Sequence, residues 1–249
     1  MTASFRKTVG AAVGAAGFAL CALSSSASAN EFSWSVTGTG TSDYIFRGLS
    51  LNNEDPAFQA SVDAEYGIWY GGLWGSMVDG VGFEPVELNL YTGVKPVLGP
   101  LTFDFGLVYY FYPWASGASD SDYVELKAAF DWSPVKNLTL TPAFWYVPDQ
   151  SNSDAVYTIE GTAAYELPAV GIFTPTISGN LGYTDADSVD FFDTGVSSYT
   201  YWNAGVSLAV EKFTFDFRYW DTDISSAPGD DLYGLADERF VFTASVTLP

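Results

Sequence analysis

The sequence of 249 residues has no histidine, a single cysteine and only nine lysines and arginines. Without histidine there is no imidazole to act as general base, to complete a nucleophilic triad or to ligate a metal. The one cysteine, Cys21, lies in the N-terminal leader, so the remainder of the chain has no thiol for a disulfide, a nucleophile or a zinc or copper site. No cofactor is expected. A carboxylate-only hydrolase is the enzyme class left open, but it needs one carboxyl pair at a defined separation. No such pair stands out, and the chain is not expected to be an enzyme. After residue 29 there is also no apolar run long enough for a membrane-spanning helix.

The leader itself reads as a signal peptide, residues 1–29. Arg6 and Lys7 supply the positive start, Val9 to Leu23 the apolar stretch, and Ala27-Ser28-Ala29 the small-residue cleavage pattern. Leu20 precedes Cys21 where a lipidation site would need a small residue. Removing the leader takes two basic residues and no acidic ones. Residues 30–249 then carry seven basic against thirty acidic residues, a net charge of −23. That balance excludes nucleic acid as a partner and gives no basic patch for anionic lipid surfaces.

Acidity alone would be compatible with disorder, but 48% of the chain is hydrophobic and 17% aromatic. The hydrophobic residues are distributed by alternation. Phe32, Trp34, Val36, Gly38 and Gly40 share one face against Ser33, Ser35, Thr37, Thr39 and Thr41. Similar runs recur at 58–66, 69–78, 86–93, 101–112, 123–132, 138–147, 156–167, 173–184, 199–210, 213–222 and 239–248. With the first run these make twelve strands, an even number. The fold class expected is therefore all-β, an antiparallel transmembrane β-barrel of about 12 strands over residues 30–249.

Alternation also fits a soluble β-sandwich, so two further features decide. The connectors at 50–56, 79–85, 113–122, 148–155, 185–198 and 223–238 are generally longer and rich in Asp, while those that alternate with them, at 67–68, 94–100, 133–137, 168–172 and 211–212, are generally shorter. That is the pattern of extracellular loops and periplasmic turns in an outer-membrane barrel. The seven basic residues sort accordingly. Lys95, Lys136 and Lys212 fall in short turns, while Arg47, Lys127, Arg218 and Arg239 fall on polar faces. A basic residue on the lipid face near the midplane would cost about 2–4 kcal/mol. Trp34 and Tyr44, on one face, are expected to mark the two aromatic girdles roughly 25 Å apart, with Trp132, Trp202 and Tyr219 as further outward aromatics.

The run Ser42-Asp43-Tyr44-Ile45-Phe46-Arg47-Gly48, followed by Ser50, Pro56-Ala57 and Gln59, resembles the start of the TorF-type porin family, bacterial outer-membrane barrels long carried as conserved proteins of unknown function. Tyr70-Gly71-Gly72-Leu73-Trp74-Gly75-Ser76 and Glu87-Leu88-Asn89-Leu90-Tyr91-Thr92-Gly93 are similar to it as well. The resemblance implies a Gram-negative outer-membrane location, a presumed pore, and as partners outer-membrane lipid, lipopolysaccharide and the barrel assembly machinery. It brings no catalytic residue. The C-terminal Val246-Thr247-Leu248-Pro249 departs from the terminal aromatic that such barrels commonly present to that machinery.

The candidate lumen-lining residues are Asp43, Arg47, Asp63, Glu65, Glu87, Asp104, Glu125, Lys127, Asp131, Glu160, Asp216, Arg218 and Arg239. Either they line a water-filled pore that favours small cationic or neutral polar solutes, or they stitch a closed, non-conducting barrel. Tyr44 and Phe46 are expected to face lipid at the outer girdle. Arg47 is expected to meet Gln59, Asp63 or Glu65 on the second strand, or a residue near Arg239 on the last. In the loops, Asp185, Asp187, Asp190, Asp230 and Asp231 are either oxygen ligands for a divalent cation or a solvated acidic surface.

Overall fold

The computed structural model describes residues 32–79, 85–113, 122–150, 153–187, 196–225 and 235–249. The leader, Asp190, Asp230 and Asp231 lie outside these. The strands are β1 (Phe32–Thr41), β2 (Ile45–Phe46), β3 (Leu49–Ser50), β4 (Ala57–Tyr66), β5 (Trp69–Met77), β6 (Val86–Val94) and β7 (Val97–Leu98). They continue as β8 (Leu101–Phe111), β9 (Tyr123–Val135), β10 (Leu138–Val147), β11 (Val156–Glu166), β12 (Thr174–Ala186), β13 (Ser198–Val210), β14 (Phe213–Thr222) and β15 (Arg239–Leu248).

Twelve of these form one closed antiparallel ring, in the order β1, β4, β5, β6, β8 and on through β15, which pairs back to β1. The two-residue β7 adds only a short bridge to β8. The seam between first and last strands runs from Val36↔Leu248 to Thr41↔Thr243. Two inward threonine pairs close it, Thr37 with Thr247 and Thr41 with Thr243, each with hydroxyl oxygens 3.0 Å apart.

The side chains sort as the alternation requires. Phe32, Trp34, Phe58, Val62, Leu73, Leu90, Phe105, Ile159, Leu181, Phe217 and Phe242 stand exposed on the outer surface. Trp132 and Tyr219 also point outward. Buried residues lie inside the ring and include hydroxyls, amides and carboxylates. A closed ring satisfies every strand's backbone groups, and long strands of 9 to 13 residues are of membrane-spanning length. An apolar exterior around a polar interior on such a ring is the construction of a bacterial outer-membrane barrel.

The first strand departs from expectation. β1 stops at Thr41, and residues 42–52 turn back into the ring instead of continuing along the wall. Tyr44 and Phe46, 2% and 1% exposed, are therefore in the lumen and not at a lipid-side girdle. The girdle spacing read between Trp34 and Tyr44 falls with it.

Candidate functional site

The inward segment is a two-residue hairpin. Ile45-Phe46 pairs with Leu49-Ser50, and Leu51 N donates to Tyr44 O at 2.8 Å. At its tip Arg47 has φ 47° and Gly48 φ 87°. Positive φ at both central residues is what a type I′ turn needs, and its twist matches that of paired strands. For arginine this backbone costs roughly 1–2 kcal/mol. Gly48 is also fixed by space, because a Cβ there would stand 2.5 Å from Thr222 Cγ2 and 3.0 Å from Tyr201 Cβ.

The hairpin crosses the lumen. Tyr44 packs on Trp74 of β5 with ring centroids 5.5 Å apart, and its hydroxyl donates to Glu87 Oε1 on β6 at 3.2 Å. Arg47 Nη2 donates to Glu125 Oε1 on β9 at 2.6 Å. Its guanidinium lies 4.7 Å from the Phe46 ring and 5.8 Å from the Trp145 ring. Among the described residues its Nε and Nη1 are buried and meet no acceptor. Arg47 thus pairs with Glu125, not with Gln59, Asp63, Glu65 or the last strand. The chain leaves β1 at Thr41 and enters the hairpin, which carries Arg47 away from those partners.

Around the hairpin the outer half of the lumen is packed like a protein core. Thr41, Ala57, Ser76, Glu87, Tyr110 and Glu125 are buried on β1, β4, β5, β6, β8 and β9. Trp145, Thr158, Thr184, Tyr201, Thr222 and Val241 are buried on the other six strands. All twelve wall strands therefore contribute to one occluding layer.

Within the lumen, carboxylates hold the polar tips of aromatic side chains. Glu87, 0% exposed, accepts from Tyr44, from the Tyr112 hydroxyl at 3.1 Å and from Asn89 Nδ2 at 2.7 Å. Glu125 also accepts from the Tyr110 hydroxyl at 3.0 Å. Glu160 accepts from Trp145 Nε1 at 2.9 Å and the Tyr201 hydroxyl at 2.7 Å. Asp104 accepts from the Tyr70 hydroxyl at 2.7 Å and from Lys127 Nζ at 2.9 Å. Asp63 accepts from the Tyr91 hydroxyl.

Asp216 and Arg218 pair with each other on β14 at 2.9 Å, and Arg218 also reaches Asn203 and Ser178. Glu65 and Asp131 sit exposed toward the end that carries the termini, where Asp131 accepts from Thr141. At the hairpin base Asp43 accepts from Ser50 Oγ at 2.7 Å and Arg239 Nη1 at 3.0 Å, while Arg239 also reaches Glu54 at 3.2 Å. Burial pushes the Asp43 carboxyl above its ordinary range, against the pull of Ser50 and Arg239.

Of the loop candidates, Asp185 and Asp187 fall within the described residues. Asp185, at the end of β12, faces outward and accepts from Tyr183, and among the described residues no three acidic side chains gather as a metal site.

A family model described as "Bacterial protein of unknown function (Gcw_chp)" matches residues 24–248. The chain belongs to the Gcw_chp family. Its segment 42–52 supplies the lumen hairpin of this Gcw_chp barrel. Among solved structures it is similar to the NanC porin, with a TM-score of 0.57 at 13% identity over 87% of this chain and 100% of that one. LpxR from Salmonella typhimurium gives a TM-score of 0.44 at 8% identity, covering 86% and 99%. OpdK from Pseudomonas aeruginosa gives 0.43 at 13%, covering 78% and 58%. At 13% identity the likeness to the NanC porin is one of fold. No curated protein matches the sequence.

Proposed function

We propose that this Gcw_chp barrel is a non-enzymatic, porin-like channel of the TorF type for small cationic or neutral polar solutes, held closed by the 42–52 hairpin in the conformation described. The polarity of the lining carries this reading. Below the hairpin the wall turns Ser33, Ser35, Thr37, Thr139, Thr176 and Ser207 inward, together with the acidic Asp63, Glu65, Asp104, Asp131 and Asp216. Carboxylates in excess over Lys127 and Arg218 favour cations. A twelve-stranded ring lies between eight-stranded barrels filled by side chains and the 16–18-stranded porins with aqueous channels.

The test is planar-bilayer recording on the refolded protein and on a variant in which residues 43–55 are replaced by a short Gly-Ser linker. The expected result is a small or intermittent current for the parent and a larger, cation-selective one for the variant. Anion preference would overturn the solute class. The occluding layer on all twelve strands favours a second reading, a purely structural barrel. Silence from both proteins would establish that one instead.

A further inference from the structure

The guanidinium of Arg47 sits between the hairpin's own Phe46 ring, at 4.7 Å, and a wall side formed by Glu125 and Trp145, with Glu160 bonded to Trp145. Glu125 is oriented by the Tyr110 hydroxyl. Glu160 is oriented by Trp145 Nε1 and the Tyr201 hydroxyl. All of these donors come from wall strands, so wall residues by themselves orient both carboxylates and the Trp145 ring. Lys127 approaches the Trp145 ring as well, at 5.0 Å, but its charge is matched by Asp104.

Arg47 uses this pocket incompletely. A single nitrogen reaches Glu125, Nε and Nη1 meet no acceptor among the described residues, and the backbone is left-handed at φ 47°. The tether compensates through high effective concentration. A free guanidinium has no such constraint. It can turn to present two N–H groups to one carboxylate and stack on Trp145. No three acidic residues gather as a metal site among the described residues, and the aromatic wall suits an organic cation.

We infer that the Glu125–Trp145–Glu160 pocket is a recognition site for guanidinium-bearing solutes, and that Arg47 is its tethered occupant, displaced when such a solute binds. This rests on the channel reading in making displacement the step that opens the lumen, but occupancy of the pocket can be tested without any current. A primary ammonium should compete more weakly, since it lacks the planar fork.

The experiment is chemical rescue of Arg47→Ala in the full chain, refolded in detergent and followed by heat-modifiable gel migration. Methylguanidinium at about 10 mM should raise the lowered unfolding midpoint by about 5 °C. Tetramethylammonium at equal ionic strength should not, and adding Glu125→Gln should abolish the rescue. A folded Arg47→Ala protein that methylguanidinium does not stabilise overturns the inference. Should Arg47→Ala fail to fold, a Leu49→Cys reporter on the otherwise unaltered protein decides. Methylguanidinium should speed its labelling by a polar maleimide several-fold over tetramethylammonium, and equal rates overturn the inference. Because neither readout involves conduction, a silent bilayer would sink the channel reading and leave this result standing or falling by itself.

Discussion

Arg47 Nη2 and Glu125 Oε1 meet at 2.6 Å across the inside of the barrel, although β1 and β9 stand five strands apart around the wall in one direction and seven in the other. The contact belongs to the hairpin and not to the sheet. It ties the chain leaving β1 to the nearly opposite wall, and both partners are buried. Removing one partner of such a pair leaves a charge with no counterion. Arg47→Met should therefore cost about 3–5 kcal/mol. The double variant Arg47→Met/Glu125→Gln should cost clearly less than the two single changes summed. Urea titrations read by gel migration give all three values, and strict additivity would mean that the two side chains do not interact.

Gly48 offers a way to unseat the hairpin with no change of charge. Its φ of 87° and the 2.5 Å approach of Thr222 Cγ2 leave no place for a methyl group. In Gly48→Ala the tip must withdraw from β13 and β14 and carry Arg47 out of its pocket. Trypsin, which has no access to Arg47 in the parent, should then cut between residues 47 and 48. Mass spectrometry of the fragments is the readout, and equal resistance in both proteins would show that the tip absorbs the methyl in place.

Much of the fold was legible because a barrel writes its geometry as period two. The runs led by Phe32, Phe58, Leu101 and Phe213 each correspond to a wall strand, and Lys95, Lys136 and Lys212 fall in the short turns. The hairpin was harder to read. Tyr44 and Phe46 keep the even phase of β1, so they look like more wall. The available cue was the change of phase across Arg47-Gly48, where the apolar residues shift from 44 and 46 to 49 and 51. A glycine-containing pair at such a slip is a turn signal, weaker with arginine than with asparagine. The charge pairings could not be read at all, because Arg47–Glu125 and Asp43–Arg239 depend on how a ring closes and not on any sequence spacing.

Glu87 is a buried carboxylate whose partners in the described structure are Tyr44, Tyr112 and Asn89. The hydroxyl of Tyr44 binds the hairpin to β6 and that of Tyr112 binds the end of β8 to it. Tyr112→Phe deletes a donor and leaves the acceptor in place, an expected loss of about 1–3 kcal/mol. Replacing Glu87 with leucine in the Tyr44→Phe/Tyr112→Phe background removes a buried carboxylate left with the Asn89 donor alone, and should recover part of that loss. Thermal midpoints across the series check this. Further destabilisation by the leucine would mean that Glu87 contributes packing that its hydrogen bonds do not account for.

Val62 and Ser61 are neighbours on β4 that face opposite sides of the wall. Val62 is half exposed on the outer surface, and Ser61 points inward, where its hydroxyl meets Asp63 at 2.8 Å. Both sit near the middle of a ten-residue strand. In a membrane barrel, lysine at position 62 would place its charge in hydrocarbon near the midplane, at about 2–4 kcal/mol. Lysine at position 61 would enter a polar lumen beside an existing carboxylate, where opposite charges favour each other. A soluble β-sandwich demands the reverse, with the exposed face tolerant and the inner face not. The two variants therefore test the orientation of the whole ring. Refolding yield into lipid vesicles and the urea midpoint should fall for Val62→Lys and stay close to the parent for Ser61→Lys. Opposite behaviour would mean that the surface carrying Phe58, Val62, Leu73 and Leu90 meets water.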